Sequence, residues 1–357
     1  MNPKIQAQIE AHAQAIAALL HEQALATVPE QLTTLEGIEG TVRSLVLQYV
    51  SPEIAPFFIA KESGTRAGHP RAVKSIVGEL KLTSQQAQYF EVKAYSQWSP
   101  YLEKCCLELS GNSSYEQSAR QIKLLTGMKV SRGTQQRLVQ RYEFSSGQVS
   151  HPVQALSLDG GKVRLRTELG EPCQWRDYKA VNLNGEWVGA YFRDNERLVD
   201  KVNQQTLEVP VFTLGDGHDG IWNILKKISN RVEILDWYHL MENLEKVGGS
   251  QQRLDRVKEL LWKGQVKEAN RKFEDWEHER VDRFKGYVEK HQHRIVNYEY
   301  YQAEEIPIGS GQVESTVGRG ARVKLSGAQW KEENVPQVLR HRCACLNGVF
   351  TTLRLDE

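Results

Sequence analysis

Three apolar runs in the middle of the chain each end on an aspartate. They are Val153-Gln154-Ala155-Leu156-Ser157-Leu158 before Asp159, Val209-Pro210-Val211-Phe212-Thr213-Leu214-Gly215 before Asp216, and Val232-Glu233-Ile234-Leu235 before Asp236. Runs of this length bounded by glycines or turn residues read as buried strands. A carboxylate at the end of a buried strand is costly unless a backbone cap, an arginine or a metal ion pairs with it. For Asp159 taken alone, two readings stand. It opens a hairpin turn before Lys162-Val163-Arg164-Leu165-Arg166, or it is a functional carboxylate at a sheet edge.

The segments between these runs set the type of sheet. After Asp159, Val163, Leu165 and Thr167 alternate with charged residues, and Tyr178 to Leu183 and Trp187 to Phe192 read as strands joined at Asn184-Gly185, a strong hairpin signal. Three antiparallel strands are expected here, followed by a helix over about 196–207. Beyond Asp216 the order becomes helix (through Trp222 and Leu225), strand, helix (through Met241 and Leu244), which implies parallel pairing with right-handed crossovers. The expected fold class is therefore α/β with a mixed sheet. In such sheets sites form outside the carboxyl ends of strands. Two strands ending in Asp159 and Asp216 place two carboxylates together, where repulsion drives one toward neutrality. A hard divalent cation relieves that conflict, and oxygen donors suit Mg²⁺.

Composition narrows the class only modestly. The 357 residues are 40% hydrophobic and 25% charged with a net charge of +1, ordinary for a globular chain of two or three domains, so partners must be read from local charge. No apolar run approaches the roughly 18 residues of a membrane span, and the N-terminus lacks the plan of a signal peptide. The five cysteines include no Cys-x-x-Cys pair, which leaves zinc ribbons and thioredoxin-type sites unsupported. A reduced, cytoplasmic protein is expected.

The N-terminal region (1–60) reads as helical. Ile5, Ile9, Ala13, Ile16, Leu19 and Leu20 form one stripe over about 4–25, and a second helix is expected over 33–50, stopped by Ser51-Pro52. Such stripes suit core or dimer contacts. Region 61–110 reads as a linker over 62–74, a short strand over 75–82, and a helix over 91–109 broken near Ser99-Pro100. Region 111–150 has the plan of a helix-turn-helix: a helix with Tyr115, Ala119, Ile122 and Leu125 on one face, a break at Thr126-Gly127-Met128, Ser131 as N-cap, and a second helix with Leu138, Val139 and Tyr142 inward. Its cations Arg120, Lys123, Lys129, Arg132, Arg137 and Arg141 outnumber Glu116 and Glu143. If it binds DNA, the second helix enters the major groove, and Arg132, Thr134, Gln135, Gln136, Arg137 and Arg141 are the contacts. An ordinary helical hairpin with a solvated basic face is the alternative.

From about 240 to 305 the pattern is helical and highly charged, with Leu254, Val257, Leu260, Leu261 and Trp262 on one side, and reads as an inserted subdomain. His291 and His293 lack the acid or cysteine spacing that would make them a metal site. Gly309-Ser310-Gly311-Gln312-Val313-Glu314-Ser315 then starts a new helix, with Glu314 in its first turns and Arg319, Arg322, Lys324, Lys331, Arg340 and Arg342 beyond. A carboxylate ahead of a basic face suits a metal site beside a phosphate backbone. It equally suits a solvated helix whose glutamate favours its own N-terminus. Trp330 stacks on an unpaired base or belongs to the core.

Taken together, these motifs resemble the DDE transposases of bacterial insertion sequences, the ISKra group in particular, related to the ISLre type. The resemblance covers about 154–346 and rests on Leu158-Asp159-Gly160-Gly161, Leu214-Gly215-Asp216-Gly217 with Ile221-Trp222-Asn223, Ile234-Leu235-Asp236-Trp237-Tyr238-His239, and Gly309 to Ser315 with Gly320-x-Arg322-x-Lys324-x-x-Gly327-x-x-Trp330. Related proteins often carry a Cys-x-x-Cys element ahead of the helical DNA-binding region. The corresponding stretch here, about 85–101, has no cysteine.

The resemblance implies an RNase H-like catalytic domain over 151–357 with an all-helical insertion, preceded by an α-helical DNA-binding region. It implies that Asp159, Asp216 and Glu314 hold two Mg²⁺ ions, with Mn²⁺ as a substitute, for in-line displacement at phosphorus. Asp236 and His239 would support these ligands. Asp219 would do the same, or would replace Asp216 as the second ligand. The implied partners are double-stranded DNA, as terminal inverted repeats and target, and further copies of the chain in a dimer or higher oligomer, nucleoid-associated in a bacterial cytoplasm. Three rival readings share some of these features. A structure-selective nuclease would use the same acids, and a domesticated DNA-binding protein would need none of them. A two-carboxylate sugar hydrolase would leave the basic helices with nothing to bind.

Overall fold

The computed structural model describes residues 1–93, 96–145, 147–168, 170–309 and 329–350. The chain divides into two compact units, Met1–Ser110 with Tyr115–Leu138, and Gly111–Ser114 with Val139–Glu357. Among the described residues no helix is long and apolar enough to cross a membrane.

In the first unit, α1 (Pro3–Thr27) begins where Asn2 accepts the Lys4 N–H at 2.9 Å and Pro3 occupies a position that needs no donor. Of its residues only Ala24 is buried, and Ile5, Ile9, Ile16 and Leu19 of the expected stripe are exposed. Thr34 caps α2 (Leu35–Leu45) through the Gly37 N–H at 3.1 Å. The stop expected at Ser51-Pro52 does not occur. The helical path widens into a π-turn over Val46–Val50 and continues as α3 (Ser51–Ser63), ending at Gly64 with φ +65°. Proline in a first turn lacks only a donor that this turn does not require. The expected linker over 62–74 in part forms β1 (Pro70–Ser75), which pairs antiparallel with β2 (Gly78–Thr83). Thr83 then opens α4 (Ser84–Tyr89) through a capping box with Gln86. Of the helix expected over 91–109, only the part from Pro100 forms, as α5 (Pro100–Asn112). The two helices α6 (Tyr115–Thr126) and α7 (Arg132–Arg141) are joined through Gly127, whose φ of +72° favours glycine.

The second unit is mixed α/β around one five-stranded sheet. β3 (Val153–Leu165) pairs antiparallel with β4 (Gln174–Leu183), which pairs antiparallel with β5 (Trp187–Phe192). On its other side β3 pairs in parallel with β6 (Leu207–Gly215), and β6 with β7 (Arg231–Leu235), giving the order β5-β4-β3-β6-β7. Asn184 and Gly185 take positive φ between β4 and β5, as the hairpin signal predicts. Both the turn at Asp159 and the strand end expected there are overturned, because β3 runs on to Leu165. Asp159, Gly160 and Gly161 lie inside β3, opposite Ala180, Lys179 and Tyr178. The glycines make room for those neighbours: a Cβ on Gly160 would lie 2.8 Å from Lys179 Nζ, and one on Gly161 would lie 2.2 Å from the Tyr178 ring.

The helices α8 (Asn195–Asn203), α9 (Asp219–Leu225) and α10 (Trp237–Glu245) supply Leu198, Val202, Ile221, Trp222, Leu225 and Leu240 to a core shared with Leu156, Leu158, Leu214, Ile234 and Leu235 of the sheet. Burial of each such side chain contributes on the order of 1.5–3 kcal/mol. The insert is all-helical as expected: α11 (Gln251–Trp262), α12 (Val266–Arg271), α13 (Glu279–His291) and α14 (Tyr298–Ala303). It is pinned to the sheet by Tyr298, fully buried, whose hydroxyl donates to Leu235 O at 2.8 Å. A smaller core joins Val163, Leu165, Tyr178 and Phe192 to Val335 and Leu339 of α15 (Val335–Leu346). Asn347 donates to and accepts from Val188 of the edge strand β5, at 3.0 and 2.8 Å. This covers one position of an edge that would otherwise invite strand pairing.

Candidate functional site

Register alone brings the aspartates together. Leu158 pairs with Gly215, and Gly215 with Leu235, so Asp159, Asp216 and Asp236 each lie one residue beyond the same row on adjacent parallel strands. Neighbouring strands are about 4.8 Å apart. The step from β6 to β7 is held by Asp236 N–H donating to Gly215 O at 3.0 Å.

Each acid is oriented by the backbone that follows it. Gly160 N–H donates to Asp159 Oδ1 at 2.6 Å, and His218 N–H to Asp216 Oδ1 at 2.9 Å. Asp236 is fully buried and caps α10, accepting from Tyr238 N–H at 2.7 Å and His239 N–H at 3.0 Å. Burial raises the Asp159 carboxyl above its ordinary range, the Gly160 bond counters this, the Asp216 charge adds to it, and His239 and Lys179 lower it. Asp159 and Asp216 thus form an interacting acidic pair with two cationic or protonatable neighbours. His239 Nδ1 lies 3.5 Å from Asp236 Oδ1, so it bridges the capping acid and the pair.

Asp219 is engaged elsewhere. At the head of α9 it is exposed and ion-paired to Lys290 of α13 at 2.7 Å, whose hydrogen bond holds its carboxyl below the ordinary range. His291 is buried, and its Nδ1 lies 3.0 Å from Arg294 Nη1. Arg294 also pairs with Glu233 at 2.6 Å and lies over Trp222, 4.1 Å from the ring centroid.

Glu314, Arg319, Arg322 and Lys324 lie outside the described residues. The chain leading toward them runs along the site: Trp237 N–H donates to Ile308 O at 3.0 Å, and a Cβ on Gly309 would lie 2.6 Å from the Tyr238 ring and 3.9 Å from Asp236 Oδ2. Trp330 has a different role from the one expected of a DNA contact. It bridges Leu165, exchanging backbone bonds with Arg164 and Arg166 at 3.0 and 2.7 Å, and packs half-buried on the smaller core.

On the helix pair, Arg132, Gln136, Arg137 and Arg141 are exposed, while Thr134 is held by Ser131 and Arg137. Gln135 corrects the expectation that it reads a base. It is fully buried and accepts from Ser118 Oγ at 2.7 Å, tying α6 to α7. Leu125, expected on the inner face of α6, is exposed.

For a divalent ion the donor set fits in part. Asp159 and Asp216 interact electrostatically, with His239 beside them, yet no group of three His, Cys, Asp or Glu side chains with metal-holding geometry occurs among the described residues. The residues near the acids that the sequence does not mark are Lys179, Glu242 and Tyr287, and His291 is considered there only as a metal ligand. Lys179 is brought in by the partner strand β4 and Tyr287 and His291 by α13 of the insert, while Glu242 lies on α10 directly after Asp236. A comparison with protein-family models and one with curated proteins found no match to this chain.

Proposed function

We propose that the chain is a DDE-type DNA transposase with an RNase H-like catalytic unit. The observation that carries this reading is the in-register meeting of Asp159 and Asp216 on the central and adjacent strands of a sheet ordered β5-β4-β3-β6-β7, three antiparallel and then two parallel. Numbered from the first strand of the unit, that order is 3-2-1-4-5, which supports the RNase H-like reading. Glu314 is the third acid in this reading. It follows Gly309, which abuts Asp236, by five residues, a tether of at most about 17 Å when extended.

In this reading Asp159, Asp216 and Glu314 hold Mg²⁺, which supplies charge neutralisation and a more acidic attacking hydroxyl for displacement at a DNA phosphorus. The chain's own work is to keep the carboxylates in place. The Gly160 N–H orients Asp159 and the His218 N–H orients Asp216, while the buried Asp236, held by the Tyr238 N–H, supports the His239 end of the site. The exposed cations of α7 are the proposed duplex contacts, and Arg319, Arg322 and Lys324 are proposed to follow the phosphate backbone. The apolar residues exposed on α1 to α3 support a partner that is a second copy of the chain.

The test is incubation of the full chain with Mg²⁺ and DNA carrying its element's terminal inverted repeats. End cleavage followed by joining to target DNA is expected. Products that are hydrolysed but never joined point to a nuclease instead. Unchanged activity in Asp159→Ala or Glu314→Ala removes the metal assignment. Activity kept by Asp216→Ala but lost in Asp219→Ala transfers the second ligand to Asp219.

A further inference from the structure

The insert reaches the acid pair through a side chain that the reading above leaves unused. Tyr287 lies one helical turn before His291 on α13. Its ring rests on the main chain that follows Asp216: a Cβ on Gly217 would lie 2.2 Å from Tyr287 Cε2 and 3.0 Å from its hydroxyl oxygen. The ring is also held from behind. It meets His291 edge-on, with centroids 5.0 Å apart, and His291 Nδ1 is itself held 3.0 Å from Arg294 Nη1.

The hydroxyl at the end of this stack is shielded from solvent and has no hydrogen-bond partner among the described residues. Burial, then the charges of Asp216, Asp236 and Glu242, raise its pKa far above the ordinary phenol. It therefore keeps its proton at neutral pH and is a donor facing carboxylates. A buried donor without an acceptor is costly, and native structures rarely keep one without a use. His218 N–H already holds Asp216 Oδ1. A second donor on the insert side would fix that carboxylate from two directions, as outer-shell donors do for metal-ligating carboxylates.

We propose that Tyr287 is a positioning residue of the acid site, its hydroxyl donating to the Asp216 carboxylate when a divalent ion is held there. Gly217 is then required because any side chain would displace the ring. The inference rests on the reading of Asp159 and Asp216 as ion ligands, and the experiment separates the two.

Mn²⁺ binding to the full chain is measured by calorimetry without DNA, and the Mg²⁺ dependence of end cleavage is measured alongside. The proteins compared are wild type, Tyr287→Phe, Gly217→Ala and Asp216→Asn. Tyr287→Phe is expected to weaken Mn²⁺ binding about tenfold and to raise the Mg²⁺ concentration for half-maximal cleavage similarly. Its rate at saturating Mg²⁺ and its melting temperature should stay close to wild type, a split that a merely structural role would not produce. Gly217→Ala is expected to reproduce the Mn²⁺ defect. If Tyr287→Phe matches wild type in both titrations while Asp216→Asn loses both, the role of Tyr287 is overturned and the acid site stands. If wild type and Asp216→Asn bind Mn²⁺ alike, the acid-site reading is overturned and the inference with it.

Discussion

Asp159 concentrates the conflict that defines this protein. Its carboxyl sits in a strand interior, raised in pKa by burial and by Asp216, and relieved by one backbone N–H at 2.6 Å and by the nearby His239 and Lys179. A carboxyl whose folded pKa exceeds its unfolded value is destabilising where it is ionised, so its penalty is fully present at neutral pH and fades as pH falls through the folded pKa toward the unfolded one. Asp159→Asn is therefore expected to raise the melting temperature of the metal-free protein at pH 7 by about 1–3 °C, with the gain shrinking in acid. The same substitution is expected to cut end cleavage by on the order of a thousandfold, since it removes a candidate ligand. Melting curves with chelator at pH 7 and in acid, set beside the cleavage assay, check both. A variant less stable than wild type at pH 7 would contradict the electrostatic account. Stability set against function in this way is typical of sites that hold like charges together.

At the scale of elements, the insert acts as a buttress behind the parallel edge of the sheet. Tyr298 fixes α14 to the end of β7 through Leu235 O, and Tyr287 packs α13 against Gly217 in the turn after β6. Tyr298→Phe leaves that buried carbonyl without its donor and is expected to cost about 1–3 kcal/mol, measurable by urea denaturation. His291 gives a pH test. Burial, with Arg294 and Lys290 beside it, lowers its pKa from 6.5 to about 4. The unfolded chain thus takes up a proton near pH 6.5 and the folded protein only near 4. Stability from this site falls as pH drops through that window and levels off below it. His291→Gln is expected to flatten the dependence, and melts between pH 7.5 and about 4.5 would reveal it. An unchanged slope would mean that other groups carry the acid sensitivity.

For the whole molecule, the first unit leaves a large apolar surface on its N-terminal helices. It exposes Ile5, Ile9, Ile16 and Leu19 on α1, Leu35, Ile38 and Val42 around α2, and Ile54, Phe57 and Phe58 on α3. So many large apolar side chains on neighbouring helices exceed what a monomer ordinarily leaves to water. In sedimentation, the full chain is expected to run as a dimer or larger species, and Ile16→Glu with Leu19→Glu to shift it to monomer while end binding weakens. A wild type that is monomeric at micromolar concentration would refute the shared-surface account.

Much of this architecture is written locally. The alternation after Asp159, the Asn184-Gly185 turn and the apolar runs at 209–215 and 232–235 each carry their own period, so the mixed sheet and the helical insert are legible without a structure. The same is true of Asp216, which ends a strand and begins a turn in its own residues. What local pattern does not encode is pairing. The placement of Asp159 inside a strand depends on Lys179 and Tyr178 filling the space that two glycines leave, which only register with β4 decides. Gln135 has the composition of a base reader, but its burial against Ser118 follows from how α6 packs on α7. Trp330 is likewise claimed by Leu165, a residue far from it in sequence. Tyr287 and His291 look like ordinary helix residues until α13 folds back over Gly217. The sequence by itself determined that Asp216 and Asp236 stand at strand ends, because strand periodicity and turn chemistry are short-range, but it ended the first strand at Asp159, which β3 carries through its interior. Which of these carboxylates meet, and which side chains hold them there, was decided by tertiary structure, because that depends on contacts between segments that share no local signal.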